Sequence, residues 1–176
     1  MFRFATQIND VNQRTVVGHT NGVIVKEIDF NNLSSEIIEL LHNISEITVA
    51  TCYSDKVTAR TVYCISDNLY LYFVTSSAYN KFKQLTKNPN IALAINNIQI
   101  EGIVENLGHP LEEHNNFFLG LCNKNEFYLK YLNSYLKYKN TILFKVNPKL
   151  ITLYKGKGFY NYLNLEQNKA YKKGNK

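Results

Sequence analysis

The chain has 176 residues, 45% hydrophobic and 13% aromatic, with a formal net charge of +6. That suffices to bury one sizeable core and is short for two. Apolar residues come in bursts such as Leu69 to Val74 and Phe117 to Cys122, none of membrane-spanning length, so no membrane partner is expected. The charge is scattered and arginine is confined to Arg3, Arg14 and Arg60, so nucleic acid is not the expected partner. Cys52, Cys64 and Cys122 form neither a metal-type pair nor an even disulfide set. With no secretory signal pattern in Met1 to Gln7, this composition predicts a cytoplasmic protein whose cysteines pack as small hydrophobes.

Residues 1–33 read as an N-terminal extension of unassigned role, with Gly22 to Val25 as a possible edge strand. Ser34 and Ser35 before Glu36-Ile37-Ile38-Glu39-Leu40-Leu41 predict a helix to about Asn43. The β-branched run Ile47 to Tyr53, a turn at Ser54-Asp55-Lys56 and a return strand over Val57 to Ser66 predict a hairpin. The period of two sets Thr58, Arg60, Val62 and Cys64 on one face, with Ala59, Thr61, Tyr63 and Ile65 on the other. After Asp67-Asn68, residues Leu69 to Val74 continue an antiparallel meander.

A helix from about Ala78 to Lys87 stops at Asn88-Pro89-Asn90. Strands follow at Ile91 to Ile95 and Ile98 to Glu105, the second with Ile98, Ile100, Gly102 and Val104 on one face and Gln99, Glu101, Ile103 and Glu105 on the other. Leu111 to Lys137 predicts one or two helices broken near Asn123-Lys124-Asn125. Thr141 to Val146 and Leu150 to Tyr154 read as two strands joined by an Asn147-Pro148-Lys149 turn. Residues 166–176 read as a basic, frayed tail. Seven or more short strands and few helices predict a mainly β fold, a closed or partly closed barrel.

Thr75, Ser76, Ser77 and Lys81 gather where the middle helix begins. A helix N-terminus offers unpaired N–H groups and the positive end of the macrodipole, so hydroxyls and an ammonium there favour an anion such as phosphate. A lysine in a first turn opposes the dipole, a cost that bound phosphate reverses. The competing reading is that Ser76 or Ser77 caps the helix and Lys81 is solvated.

The ordered set Ala59-Arg60-Thr61-Val62-Tyr63, Leu71-Tyr72-Phe73-Val74-Thr75-Ser76-Ser77, Lys81, Asn88-Pro89 and Ile100-Glu101-Gly102 resembles the pyridoxamine 5'-phosphate oxidase-like flavoproteins over roughly residues 34 to 155. The resemblance implies an antiparallel FMN-binding split β-barrel of Greek-key type, with its domain over 34–165. It implies a homodimer holding FMN at the subunit interface, and an oxidoreductase passing hydride or electrons from reduced flavin to a small acceptor. Carried over by position, it assigns Arg60, Thr75, Ser76 and Lys81 to the phosphate and ribityl chain. Thr61, Val62 and Tyr63 would flank the ring, and Asn97 or Gln99 would lie near the flavin. Tyr79 and Asn80 stand where many relatives have serine and arginine.

No arginine follows Arg60, whereas true pyridoxamine phosphate oxidases carry an arginine-rich C-terminal segment, so vitamin B6 oxidation is not expected. His109 and His114, five apart, diverge by about 140° on a helix, which does not suit a metal. No histidine follows His114 to serve a haem. The alternative function is a flavin storage or sensing module without catalysis, with haem or nucleic-acid binding behind it.

Overall fold

A computed structural model describes residues 23–175; the readings made of residues 1–22 and of Lys176 lie outside it. The chain runs β1 (Val23–Ile28), α1 (Phe30–His42), β2 (Glu46–Tyr53), β3 (Lys56–Tyr63), β4 (Ile65–Asp67), β5 (Tyr70–Ser76), α2 (Asn80–Lys87), β6 (Asn90–Ile95) and β7 (Ile98–Asn106). A short 3-10 turn at Glu113–Asn115 then leads to α3 (Asn116–Cys122), α4 (Glu126–Leu136), β8 (Thr141–Gly156), β9 (Phe159–Asn164) and β10 (Lys169–Asn175). The fold is mainly β, as expected: a ten-stranded sheet in the order β1-β10-β9-β8-β7-β6-β2-β3, with β5 joining β4 to β8. All pairings are antiparallel.

The β2–β3 hairpin turns at Ser54 and Asp55, both with positive φ (49° and 61°), the conformation that a two-residue turn joining right-twisted strands needs. The alternation read in β7 holds: Ile98, Ile100 and Val104 are buried, while Gln99, Glu101 and Glu105 face out. Inward residues of β2, β5, β6, β7 and β8 pack with Leu33, Ile37 and Leu41 of α1 into the main core. A second cluster forms where α3 and α4 bring Phe118, Cys122, Tyr128 and Leu132 against Tyr72 and Val74 of β5. The break between those helices falls where expected, with Asn125 capping α4 by accepting from Tyr128 N at 2.9 Å.

Several expectations are corrected. The first helix begins at Phe30, four residues before Ser34, because Asp29 is its N-cap and accepts from Asn32 N at 2.7 Å. Neither Ser76 nor Ser77 caps α2; Tyr79 occupies that position and no side chain caps it. The supposed turn at Asn147-Pro148-Lys149 lies inside one 16-residue strand, β8. Its register against β7 shifts between Glu101 and Gly102, so the proline sits at a bulge where no ladder N–H is required. Gly102 is required there: a Cβ would stand 2.4 Å from the Asn147 carbonyl oxygen. Residues 169–175, read from their lysines as a frayed tail, form β10 between β1 and β9.

Candidate functional site

Arg60 projects from β3 on the face that pairs with Val49 and Thr51 of β2. Its Nη1 donates to Thr51 Oγ1 at 2.7 Å and to the Val49 carbonyl at 3.4 Å. Its Nη2 donates to Gln84 Oε1 at 3.1 Å and to Thr58 Oγ1. The same Gln84 oxygen accepts from Thr51 Oγ1 at 2.6 Å and Thr58 Oγ1 at 2.8 Å, while Gln84 Nε2 donates to the Lys56 carbonyl at 3.3 Å. Every acceptor around the guanidinium is neutral. Gln84 is 4% exposed, so α2 is fixed to the hairpin by a buried polar network.

Lys81 lies one turn before Gln84 on α2 and is partly buried. Loss of solvent depresses its pKa, and the positive charge of Arg60 depresses it further; burial also lowers that of Arg60. Two cations thus stand close enough to repel each other. The lysine ion pairs among the described residues are Lys149–Glu166, Lys155–Glu36 and Lys169–Glu27, and His114 Nδ1 lies 3.9 Å from Glu112; none includes either cation. Adjacent partly buried cations with no carboxylate between them form a site whose electrostatics a bound anion would complete.

Thr75 belongs to the same side of the sheet. It lies two residues beyond Phe73, whose ring is 5.5 Å from that of Phe144; Phe144 in turn packs against Phe82 of α2 at 6.1 Å. Thr75 is 1% exposed, and its Oγ1 has no hydrogen-bond partner among the described residues. Ser76 behaves differently: its Oγ accepts from Ala78 N at 3.2 Å and from Asn140 Nδ2 at 2.8 Å, which shapes the loop into α2.

The other sequence-predicted residues lie elsewhere in the chain. Val62 is 5% exposed in the main core. Thr61 and Gln99 occupy the opposite face of the sheet, on one cross-strand row with Thr48, Ala94 and Thr152, three strands apart or about 14 Å. Asn97 sits in the β6–β7 turn and donates from Nδ2 to the Tyr154 carbonyl at 2.9 Å. The Tyr63 ring packs on Tyr131 and Phe127 of α4, with centroids 4.5 and 5.3 Å away. Gln99 lines a depression of about 590 Å³, together with Glu101, Glu166 and Lys149, which is paired with Glu166 at 3.0 Å.

Sequence reasoning missed Thr51, Thr58 and Gln84. The period-two reading already put Thr58 beside Arg60, and the three-residue spacing of Lys81 and Gln84 puts both on one helix face; nothing local shows that this face meets the hairpin.

No family model matches the sequence, and a comparison with curated proteins finds no match. Solved structures are similar in fold. A candidate pyridoxamine 5'-phosphate oxidase from Listeria innocua aligns with a TM-score of 0.55 at 16% identity, over 70% of this chain and 99% of that one. A haem-binding protein from Mycobacterium smegmatis aligns at 0.59 and 12% identity, over 77% of this chain but only 58% of that one. An FAD-binding protein from Mesorhizobium loti aligns at 0.53 and 10% identity, over 85% and 98%. The chain therefore has the split-barrel fold of the pyridoxamine 5'-phosphate oxidase-like proteins, a fold found in proteins named for flavin and for haem.

Proposed function

We propose that the protein binds FMN, holding the phosphate at Arg60 and Lys81, and acts as an oxidoreductase on a small acceptor. The observation that carries this reading is the pair of partly buried cations that Gln84 brings together, bonding Arg60 and standing one turn from Lys81 on α2, neither of them in an ion pair among the described residues; the unpartnered Thr75 hydroxyl on the same side of the sheet supports it. A phosphate monoester fits that set: its dianion offsets both charges, and its oxygens accept from Lys81 Nζ, the guanidinium and Thr75 Oγ1. Arg60 is oriented in advance by Thr51, Thr58 and Gln84, so little side-chain entropy is lost on binding. Bound there, the flavin would supply hydride or electron transfer, and the chain supplies position and a dry wall. No nucleophilic side chain is invoked.

The outer sheet face presents small side chains on adjacent strands, Ala59 beside Ala50 and Ala92, and Thr61 beside Thr48 and Ala94. Such a flat surface suits the homodimer that the family resemblance implies, in which Thr61, Tyr63, Asn97 and Gln99 would reach a flavin shared between subunits. Free thiols at Cys52, Cys64 and Cys122 suit a reducing compartment and support a cytoplasmic setting.

The test is the absorption spectrum of the purified protein, as isolated and after adding FMN. The reading expects a flavin spectrum that survives desalting, and its loss in Lys81→Gln while thermal stability is kept. A Soret band with no flavin uptake would replace FMN by haem; retention of FMN by Lys81→Gln and by Arg60→Gln alike would remove the site.

A further inference from the structure

A second concavity, about 460 Å³, opens between the loop that enters α2 and the C-terminal end of α4. Its volume is that of a small-molecule pocket. Tyr79, Tyr135 and Tyr138 supply its aromatic surface, and Ser76, Lys137 and Asn140 its polar groups; no lining residue carries a carboxylate. Tyr79 and Tyr138 are each 52% exposed, so aromatic surface is held open to solvent on both. A lysine attends each ring, with Lys81 Nζ 5.8 Å from the Tyr79 centroid and Lys137 Nζ 5.1 Å from that of Tyr138.

The walls are pinned. Asn140 Nδ2 donates to Ser76 Oγ at 2.8 Å and the Asn140 carbonyl accepts from Ser77 N at 2.9 Å, tying the loop before α2 to the segment after α4. The Tyr138 carbonyl accepts from Thr141 N at 3.1 Å and lies 3.2 Å from His109 Nε2. The rings are thus presented on fixed backbone, which suits stacking at low entropic cost. Behind them the aromatic surface continues through Tyr131, 5.0 Å from Tyr135 and 4.5 Å from Tyr63.

We propose that this groove binds a planar aromatic carboxylate, its ring stacked on tyrosine and its charge set toward Lys137. This binding goes beyond the function proposed above and does not rest on it. Tyrosine faces select a flat ring, and a cation without a competing acid selects a negative charge on it.

The probe is 2-naphthoate, whose fluorescence is read against a chain that has no tryptophan. The full chain should bind it saturably at one site per subunit. Neutral 2-naphthamide and non-aromatic cyclohexanecarboxylate, measured by displacement, should each bind about tenfold more weakly. Lys137→Gln and Tyr138→Ala, both at exposed positions, should each weaken naphthoate about fivefold to tenfold, the factor of one charge or stacking contact. Equal affinity for the amide, no effect of either variant, or one-for-one displacement by FMN would overturn the proposal. Naphthoate binding to a protein that takes up no FMN would sink the flavin reading and leave the groove standing; FMN uptake without naphthoate binding would do the reverse.

Discussion

Arg60 Nη2 donates to Gln84 Oε1 at 3.1 Å, and that one amide oxygen also accepts from the hydroxyls of Thr51 and Thr58. A neutral acceptor orients the guanidinium without cancelling its charge, which a carboxylate would do. Gln84→Leu removes the acceptor from buried donors and should cost about 1–3 kcal/mol in urea unfolding. Gln84→Glu keeps the acceptor toward Arg60 and the two threonines but loses the Nε2 donor to the Lys56 carbonyl, and it should lower FMN affinity by about tenfold or more, because the new charge competes with the phosphate for Arg60. If Gln84→Glu binds FMN as tightly as the parent, the anion is not held at this network.

At Gly102 a methyl group would meet the Asn147 carbonyl oxygen at 2.4 Å, within the bulge that lets β8 carry Pro148. Gly102→Ala should destabilise by about 1–3 kcal/mol, the usual cost of overpacking. Urea midpoints for Gly102→Ala and for Gly120→Ala, where the added Cβ meets nothing within 4 Å, provide the comparison.

Lys81 titrates below its ordinary 10.5, through burial first and the charge of Arg60 second. Below its folded pKa the lysine is protonated in both folded and unfolded chains, so pH has no leverage through this group. Between that pKa and 10.5 the unfolded chain binds more protons, so this group makes stability rise with pH there. A bound phosphate favours the charged form, so FMN affinity should fall as pH climbs through the same window. Lys81→Arg, which does not titrate there, should fall less. FMN dissociation constants measured from neutral to alkaline pH in both proteins check the sign.

Burial pushes the Cys64 and Cys122 thiols up to about 12, whereas Cys52 is partly exposed. A thiol reagent at mildly alkaline pH should therefore modify Cys52 quickly and the other two only on unfolding. Mass spectrometry of the native and urea-unfolded protein counts the adducts; early labelling of Cys64 or Cys122 would contradict their burial.

Much of the sheet was legible because its signals are local. The alternation of Ile98 to Glu105 and the Ser54-Asp55 turn are set by neighbours one or two residues apart. Where the reading failed, a distant partner decided the outcome. Pro148 reads as a turn until Gly102 of the neighbouring strand lets a bulge absorb it. The lysines of residues 169–175 read as solvated tail, yet pairing on both sides with β9 and β1 makes them a strand. Lys81 was legible from its place at the start of a helix and Arg60 through the family resemblance, while Gln84 was not, because its partners Thr58 and Thr51 lie 26 and 33 residues away in sequence.

The central claim is that one phosphate rests between Lys81 and Arg60, and the structure of crystals grown with FMN tests it most directly. Phosphate oxygens should lie within hydrogen-bonding distance of Lys81 Nζ and the Arg60 guanidinium, with Thr75 Oγ1 now partnered. Phosphate bound elsewhere on the chain, or crystals that take up no FMN at saturating concentration, would contradict it.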